Sequence, residues 1–344
     1  MINILMTGAG APGAPGIIKC LKQEGSLNLF LCDSNPDAVG RFLHDGVFKV
    51  VPKANDVDFI KVIKQICSEN NISVIMPLVT LELFVFAKYK AELEEIGIKV
   101  LVSDEKALNI ANNKAYLYEF LNAKGVDFIP SFLKVNTYDE FNKSIKELDY
   151  PSVPVCFKPS VSNGSRGFRI INSTVNEFDL LFNYKPDNTY ILLEKIQDIL
   201  RENKFPELIV SEYLPGEEYS VDCIANNGKP VLIIPRLRRK MLGGISTAGE
   251  IIMNQELIVY SKEIIEKIGL HGNIGIQFKR AASGQFKLLE INPRVQGTIV
   301  SILGAGVNMP LIAVKQELGL RIEEAELNVK WGTNFIRYWD EVFY

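Results

Sequence analysis

The chain has 344 residues, 47 % of them apolar and 23 % charged, with a formal net charge of −3. This is the composition of a globular protein with room for two or three folding units, and so weak a net charge offers no global field for nucleic acid or an anionic membrane. The five cysteines (Cys20, Cys32, Cys67, Cys156, Cys223) are scattered and form no CxxC, so neither a zinc site nor a disulfide framework is expected, and a reducing, cytoplasmic location fits.

The chain runs straight into a strand pattern at residues 2–6 without a basic leader, and no apolar run reaches the roughly 18–20 residues of a membrane helix. Residues 2–6, 29–32, 48–51, 74–76 and 99–102 read as buried strands, and 17–23, 59–68 and 81–93 as helices between them. Strand and helix in alternation predict a parallel sheet covered on both faces. The first turn, Gly8-Ala9-Gly10-Ala11-Pro12-Gly13, satisfies GxGxxG between a strand and a helix, and Asp33 stands at the end of the second strand. One reading is a dinucleotide site, with glycines letting the backbone approach a pyrophosphate at a helix N-terminus. That reading makes the chain an NAD-dependent oxidoreductase. The other is a tight strand-to-helix turn. Pro12 and Pro15 each remove an N–H donor. Hydride chemistry would want a Tyr-x-x-x-Lys pair or a histidine acid, and only His44 and His271 exist, neither suitably placed.

A helix is expected over 115–123, a strand at 131–135 and a helix over 138–148. Residues 153–159 form a strand ending on Lys158-Pro159. A polar loop follows, Ser160-Val161-Ser162-Asn163-Gly164-Ser165-Arg166-Gly167, and then a strand at 168–171. Strand, glycine-rich loop and strand make a flap. Gly164 and Gly167 allow positive φ and close backbone approach to phosphate, Arg166 adds a fork of donors, and Lys158 adds charge. A solvated hairpin turn is the alternative; a Walker A loop is excluded, since no GxxxxGK[ST] occurs. Residues 208–222 read as strand, sharp turn, strand, with Glu218, Ser220 and Asp222 on one face. Backbone groups at Glu212, Tyr213 and Leu214 can read an adenine edge and Glu218 can hold a ribose diol. The plain alternative is an antiparallel hairpin with acids facing water. The basic run 235–240, before Gly243-Gly244, reads as a solvated loop or as a clamp on an acidic substrate or phosphate through Arg236, Arg238 and Lys240.

Residues 272–279 and 285–294 form a hairpin across 281–284. Glu290 and Asn292 project to one face of their strand, Leu289 and Ile291 to the other. Hard oxygen ligands two residues apart on a strand chelate Mg²⁺, which keeps waters and phosphate oxygens for the rest of its octahedron. Gln277 on the neighbouring strand can add an amide oxygen. Pro293 ends the strand, and Arg294 and Gln296-Gly297-Thr298 follow.

With these motifs in this order, the chain resembles the ATP-grasp superfamily, and in particular a single synthetase unit of the carbamoyl-phosphate synthase large chain, over nearly its whole length. The resemblance implies an α/β fold, α+β in its C-terminal part. A Rossmann-like pre-ATP-grasp domain would occupy 1–108, an ATP-grasp small (lid) subdomain 109–207, and a large subdomain with the metal site 208–344. It implies ATP binding by Lys114, Lys158, Ser162, Gly164, Ser165, Arg166, Gly167, Glu212, Tyr213, Leu214 and Glu218. Metal binding falls to Gln277, Glu290 and Asn292, and Arg294 becomes the transition-state arginine. The implied cofactors are ATP and Mg²⁺, with Mn²⁺ as its substitute. The implied reaction joins a carboxylate to an amine, or a thiol, through an acyl phosphate. Small-molecule carboxylates and amines are the expected partners, neither nucleic acid nor membrane is expected, and a homodimer is left open. The sequence shows no second synthetase half, allosteric domain, glutaminase or Met-Lys-Met biotin site, so the acid and the amine stay unnamed. A nucleotide-binding protein that kept the fold without turnover is the remaining alternative. Glu290, Asn292 and Arg294 together weigh against it, since a pure binder need not keep all three.

Overall fold

The computed structural model describes residues 1–162, 164, 166–185 and 189–344. They form two compact units. One joins Met1–Ala111, Glu218–Gln277 and Glu290–Tyr344; the other joins Asn112–Glu217 and Phe278–Leu289.

In the first unit, β1 (Ile2–Thr7), β2 (Leu27–Asp33), β3 (Phe48–Val50), β4 (Val74–Pro77) and β5 (Lys99–Val100) lie in the order β3-β2-β1-β4-β5, every pair parallel. The central strands are apolar at successive positions because both faces are covered. Ile4 and Met6 face a core shared with Ile17, Ile18 and Leu21 of α1 (Ala14–Leu21). Leu5 faces the opposite core, with Phe59 and Ile63 of α2 (Phe59–Glu69) and Phe86 of α3 (Thr80–Glu95). Phe59 and Phe86 meet edge to face with ring centroids 5.7 Å apart, a contact worth about 0.5–1.5 kcal/mol beyond its buried area. α4 (Glu105–Asn112) follows and buries Ala107, Leu108, Ile110 and Ala111.

The second unit contains α5 (Lys114–Ala123), β6 (Phe132–Val135), α6 (Tyr138–Glu147), β7 (Val155–Pro159), β8 (Arg169–Ile171), α7 (Glu177–Asn183), β9 (Tyr190–Ile191), α8 (Leu193–Arg201) and β10 (Leu208–Glu212). Its sheet runs β6-β10-β7-β8-β9, antiparallel except between β8 and β9. Phe141 and Ile145 of α6 and Ile196 and Leu200 of α8 pack on Val155, Phe157 and Val210. Asn113 and Thr137 start α5 and α6 by accepting the Tyr116 and Glu140 amides, which satisfies donors a helix start leaves open.

A six-stranded sheet is built from β11 (Glu218–Asn226), β12 (Lys229–Leu242), β13 (Ile245–Ile251), β14 (Gly272–Arg280), β15 (Phe286–Asn292) and β16 (Asn334–Ile336), in the order β15-β14-β11-β12-β13-β16. α9 (Gln255–Ile268) is capped by Asn254 and stopped by Gly269 in the left-handed region. α10 (Val300–Gly304) and α11 (Met309–Glu317) bury Ile302, Met309 and Ile312 in the core that α1 also enters. Residues 208–222 are thus two strands that do not pair with each other: β10 pairs with β6 and β7, and β11 with β12. The basic run 235–240 lies within β12 and is strand.

Candidate functional site

In the second unit, Lys114 opens α5 and is only 6 % exposed. Its Nζ donates to Ser162 O and its backbone N–H to Ser160 O, both at 2.8 Å, which ties the helix start to the loop after β7. Lys158 on β7 donates to Tyr118 Oη and to Leu289 O, each at 3.1 Å, with its Nζ 5.4 Å from the Tyr118 ring centroid. Tyr118 donates in turn to the Leu288 and Leu289 carbonyls at 3.1 and 2.7 Å. Lys114 and Tyr118 share a helix face, being one turn apart. In the flap, Gly164 and Gly167 take φ of +64° and +77°. A Cβ at Gly167 would lie 2.6 Å from Pro159 Cδ, so this turn requires glycine. Ser162 supplies the carbonyl that Lys114 holds, Arg166 is exposed, and Ser165 lies outside the described residues.

Glu212 ends β10. Its carboxylate accepts the Ser131 N–H at 2.8 Å and its own N–H donates to Ser131 O at 3.0 Å. The side chain therefore works inside its own sheet, and any reading of a base edge falls to the backbone. Tyr213 is half-buried, with Lys279 Nζ 5.7 Å from its ring centroid; burial raises its phenol above the ordinary range. Leu214 is buried.

In the first unit, Glu290 and Asn292 share a face of β15, and Asn292 Nδ2 donates to Glu290 Oε1 at 3.1 Å. The Asn292 carbonyl oxygen and the carboxylate are thus oxygen donors side by side. Arg294, just past the strand, donates Nε to Thr80 Oγ1 at 3.3 Å and Nη1 to Val295 O at 2.9 Å. Burial pushes its guanidinium below the ordinary range, and the Glu290 carboxylate opposes that. Thr80 opens α3 just beyond the end of β4. The strand order reverses between β1 and β4, the usual place for a ligand in an open α/β sheet.

Gln277 Oε1 faces Arg238 Nη1 at 3.4 Å, and the same Nη1 pairs with Glu218 Oε1. Arg238 also holds Ser246 Oγ through Nε at 2.9 Å and the Gly244 carbonyl through Nη2, so it fastens the β12–β13 turn to Glu218. Burial lowers the Arg238 guanidinium and Glu218 counters it. Arg236 is wholly buried, with Nε 2.5 Å from Asp222 Oδ2 and Nη2 3.5 Å from Gln296 Oε1. Burial raises the Asp222 carboxyl, against the pull of Arg236. Of the three cations read as a substrate clamp, Arg236 and Arg238 are interior, and only Lys240 reaches solvent. Tyr118 and Ser246 carry contacts that no sequence motif marks; the helical spacing of Tyr118 from Lys114 is the one signal available.

The glycine-rich loop 8–13 uses its own donors. Gly10 N–H donates to Asp33 Oδ2 at 2.7 Å and Ala11 N–H to Gly8 O at 2.9 Å. The carboxylate that a dinucleotide reading assigns to a ribose is therefore bonded to the loop. A Cβ at Gly13 would come 2.6 Å from Gly297 Cα, so close packing of two backbone segments accounts for this glycine.

The family described as PylC-like, N-terminal domain, matches residues 4–101, and the family described as ATP-grasp in the biosynthetic pathway with Ter operon matches residues 204–336. The arginine-specific carbamoyl phosphate synthase large chain of Halalkalibacterium halodurans is 23 % identical over 250 residues, covering 70 % of this chain and 22 % of its own length. The chain thus spans about a fifth of that relative. N5-carboxyaminoimidazole ribonucleotide synthetase in its ADP complex superposes with a TM-score of 0.70 at 15 % identity, covering 95 % of this chain and 79 % of that one. Biotin carboxylase of Campylobacter jejuni, as its β,γ-ATP complex, gives 0.68 at 17 %, covering 96 % and 74 %. At such identities the two structures establish the fold. Among the described residues no helix is long and apolar enough to cross a membrane. Residues 204–336 thus carry an ATP-grasp domain, behind a PylC-like N-terminal domain at 4–101.

Proposed function

We propose that the chain is an ATP- and Mg²⁺-dependent ligase that joins a carboxylate to an amine, or a thiol, through an acyl phosphate. The observation that carries this reading is the succession Glu290, Asn292, Arg294: two oxygen donors on one face of a strand end, then a half-buried cation held at Thr80. The donor set suits a hard divalent cation. Among the described residues no three acidic, histidine or cysteine side chains gather around one point, and Mg²⁺ needs no such cage, because it retains waters and phosphate oxygens. Bound there, the metal would neutralise phosphate charge and orient the transferring phosphoryl group.

The protein's own share is positioning and electrostatics. Lys114 and Lys158 rest on carbonyl oxygens. A phosphate oxygen is the better acceptor, since charge-assisted hydrogen bonds are roughly twice as strong as neutral ones. The backbone at Glu212, Tyr213 and Leu214 would read adenine, and Glu218 would hold the ribose. Gln277, whose oxygen faces Arg238, would add an amide oxygen to the metal. As the substrate carboxylate attacks the γ-phosphorus and ADP leaves, Arg294 meets the charge on the new acyl phosphate. The amine then displaces phosphate. Five buried free cysteines suit the cytoplasm, where thiols stay reduced.

The test is phosphate release by purified protein with Mg-ATP against libraries of amino acids and other carboxylates, each with and without an amine. Release that needs both partners supports the reading. A protein that binds NAD and ignores ATP in calorimetry overturns it.

A further inference from the structure

One cavity of the first unit is lined by none of the residues read as ATP- or metal-binding. Its volume is about 840 Å³, and it runs along α1 from Gly10 to Gln23, with the β12–β13 turn and residues 337–342 as its other walls. Small-molecule sites span roughly 300–1,000 Å³. Ile18, Leu43, Leu242 and Ile245 make apolar walls, and Lys19, Lys22 and Arg337 stand among them. Among the described residues none of these three cations forms an ion pair. Lys22 Nζ reaches the Leu43 carbonyl at 3.5 Å and Arg337 Nη2 the Pro12 carbonyl at 3.4 Å. Two acids, Asp340 and Glu341, also line the cavity, and Asp340 is engaged by the Glu341 amide at 3.1 Å. Arg337 is half-buried. Its burial and the nearby Arg236 push its guanidinium below the ordinary range, the condition of a cation that gains from an added anion.

The loop 8–13 reaches this cavity through Gly10, Ala11 and Pro12 but brings it no donor. The Gly10 amide is taken by Asp33, the Ala11 amide by Gly8 O, and Pro12 has none. A phosphate cradled by these backbone amides is therefore excluded, and an anion must be held by side chains.

We propose that this cavity binds a small organic anion, with its apolar body on Ile18, Leu43, Leu242 and Ile245 and its anionic head on Lys19, Lys22 and Arg337. The site does not depend on the ligase reading. Trp339 lines it and is 82 % exposed, so an occupant that covers the indole shifts its emission to the blue. Octanoate is the probe, titrated into the full chain without nucleotide and followed by tryptophan emission and calorimetry, with octanol as the uncharged control. Octanoate should saturate, and octanol should bind about tenfold more weakly or worse, the scale of one lost charge-assisted contact. Lys19 and Lys22 are exposed, so the double variant Lys19→Ala, Lys22→Ala should melt like the wild type. It should lose about tenfold in octanoate affinity and nothing for octanol. Equal affinity for octanoate and octanol overturns the proposal, as does an unchanged octanoate affinity in the folded double variant, or no saturable binding of octanoate.

Discussion

Replacing Glu82 with glutamine should stabilise the protein above neutral pH and flatten part of its pH dependence. Glu82 is 6 % exposed in the first turn of α3, and its Oε2 accepts the Thr7 hydroxyl, from the end of β1, at 2.5 Å. Burial is the main force pushing its carboxyl from 4.5 up to about 7; Asp33 adds to the rise, while Thr7 and the Val79 backbone oppose it. Between those two values the folded chain keeps a proton that the unfolded chain has released, so stability falls as pH rises. The contribution is complete below 4.5 and lost once pH passes about 7. A difference of about 2.5 pH units, at about 1.4 kcal/mol each, amounts to about 3 kcal/mol. Glutamine has nearly the same shape, keeps an oxygen for Thr7 and cannot ionise. Urea unfolding of both proteins at about pH 5, 6, 7 and 8 reads the effect directly. The variant should gain on the wild type as pH rises, by up to about 3 kcal/mol, and the difference should level off above pH 7. Parallel stability curves for the two proteins would refute the reasoning.

Lys158→Ala removes one phosphate-facing charge, so ATP affinity measured by calorimetry should fall by roughly 10- to 150-fold; an unchanged Kd takes Lys158 out of the site. Gly13→Ala places a Cβ 2.6 Å from Gly297 Cα, whereas at Gly10 the tightest approach is 3.2 Å, to an Asp33 oxygen. Urea unfolding should show a loss of about 1–3 kcal/mol for Gly13→Ala and less for Gly10→Ala. NAD should bind to none of the three proteins, and a folded Gly10→Ala protein that loses a measurable NAD affinity would show the loop to be a working dinucleotide site.

The parallel sheet is legible in the sequence because burial on both faces makes its central strands unbroken apolar runs: residues 2–6 and 74–76 fall inside β1 and β4. α9 goes unread, although Asn254 and Gly269 mark its two ends. The basic run 235–240 misleads for a physical reason. Local charge favours solvent, but Asp222 and Glu218 on β11 compensate Arg236 and Arg238 from 14 and 20 residues away. Within β12 the alternation of side chains then sends these two arginines inward together, while Arg239 points out to Glu250. Residues 208–222 look continuous because pairing with β6, β7 and β12 leaves no local trace. The setting of Lys158 is equally non-local, since one of its acceptors, Leu289 O, lies 131 residues on. Gly13 shows the converse: a local pattern matches a binding motif, yet the glycine is demanded by Gly297, which no spacing rule connects to it.

The central claim, that Glu290 and Asn292 hold the metal of an ATP-dependent ligase, is tested most directly by the turnover of Glu290→Gln as a function of Mg²⁺. The change is nearly isosteric and keeps an oxygen for Asn292 Nδ2, so the fold should survive. ATP affinity should fall little, because Lys114, Lys158 and the Glu212–Leu214 backbone do not depend on the carboxylate. Phosphate release should drop by about 10²–10³ in kcat, the scale on which one electrostatic stabiliser is lost. Turnover at the wild-type rate with an unchanged Mg²⁺ dependence would contradict the account.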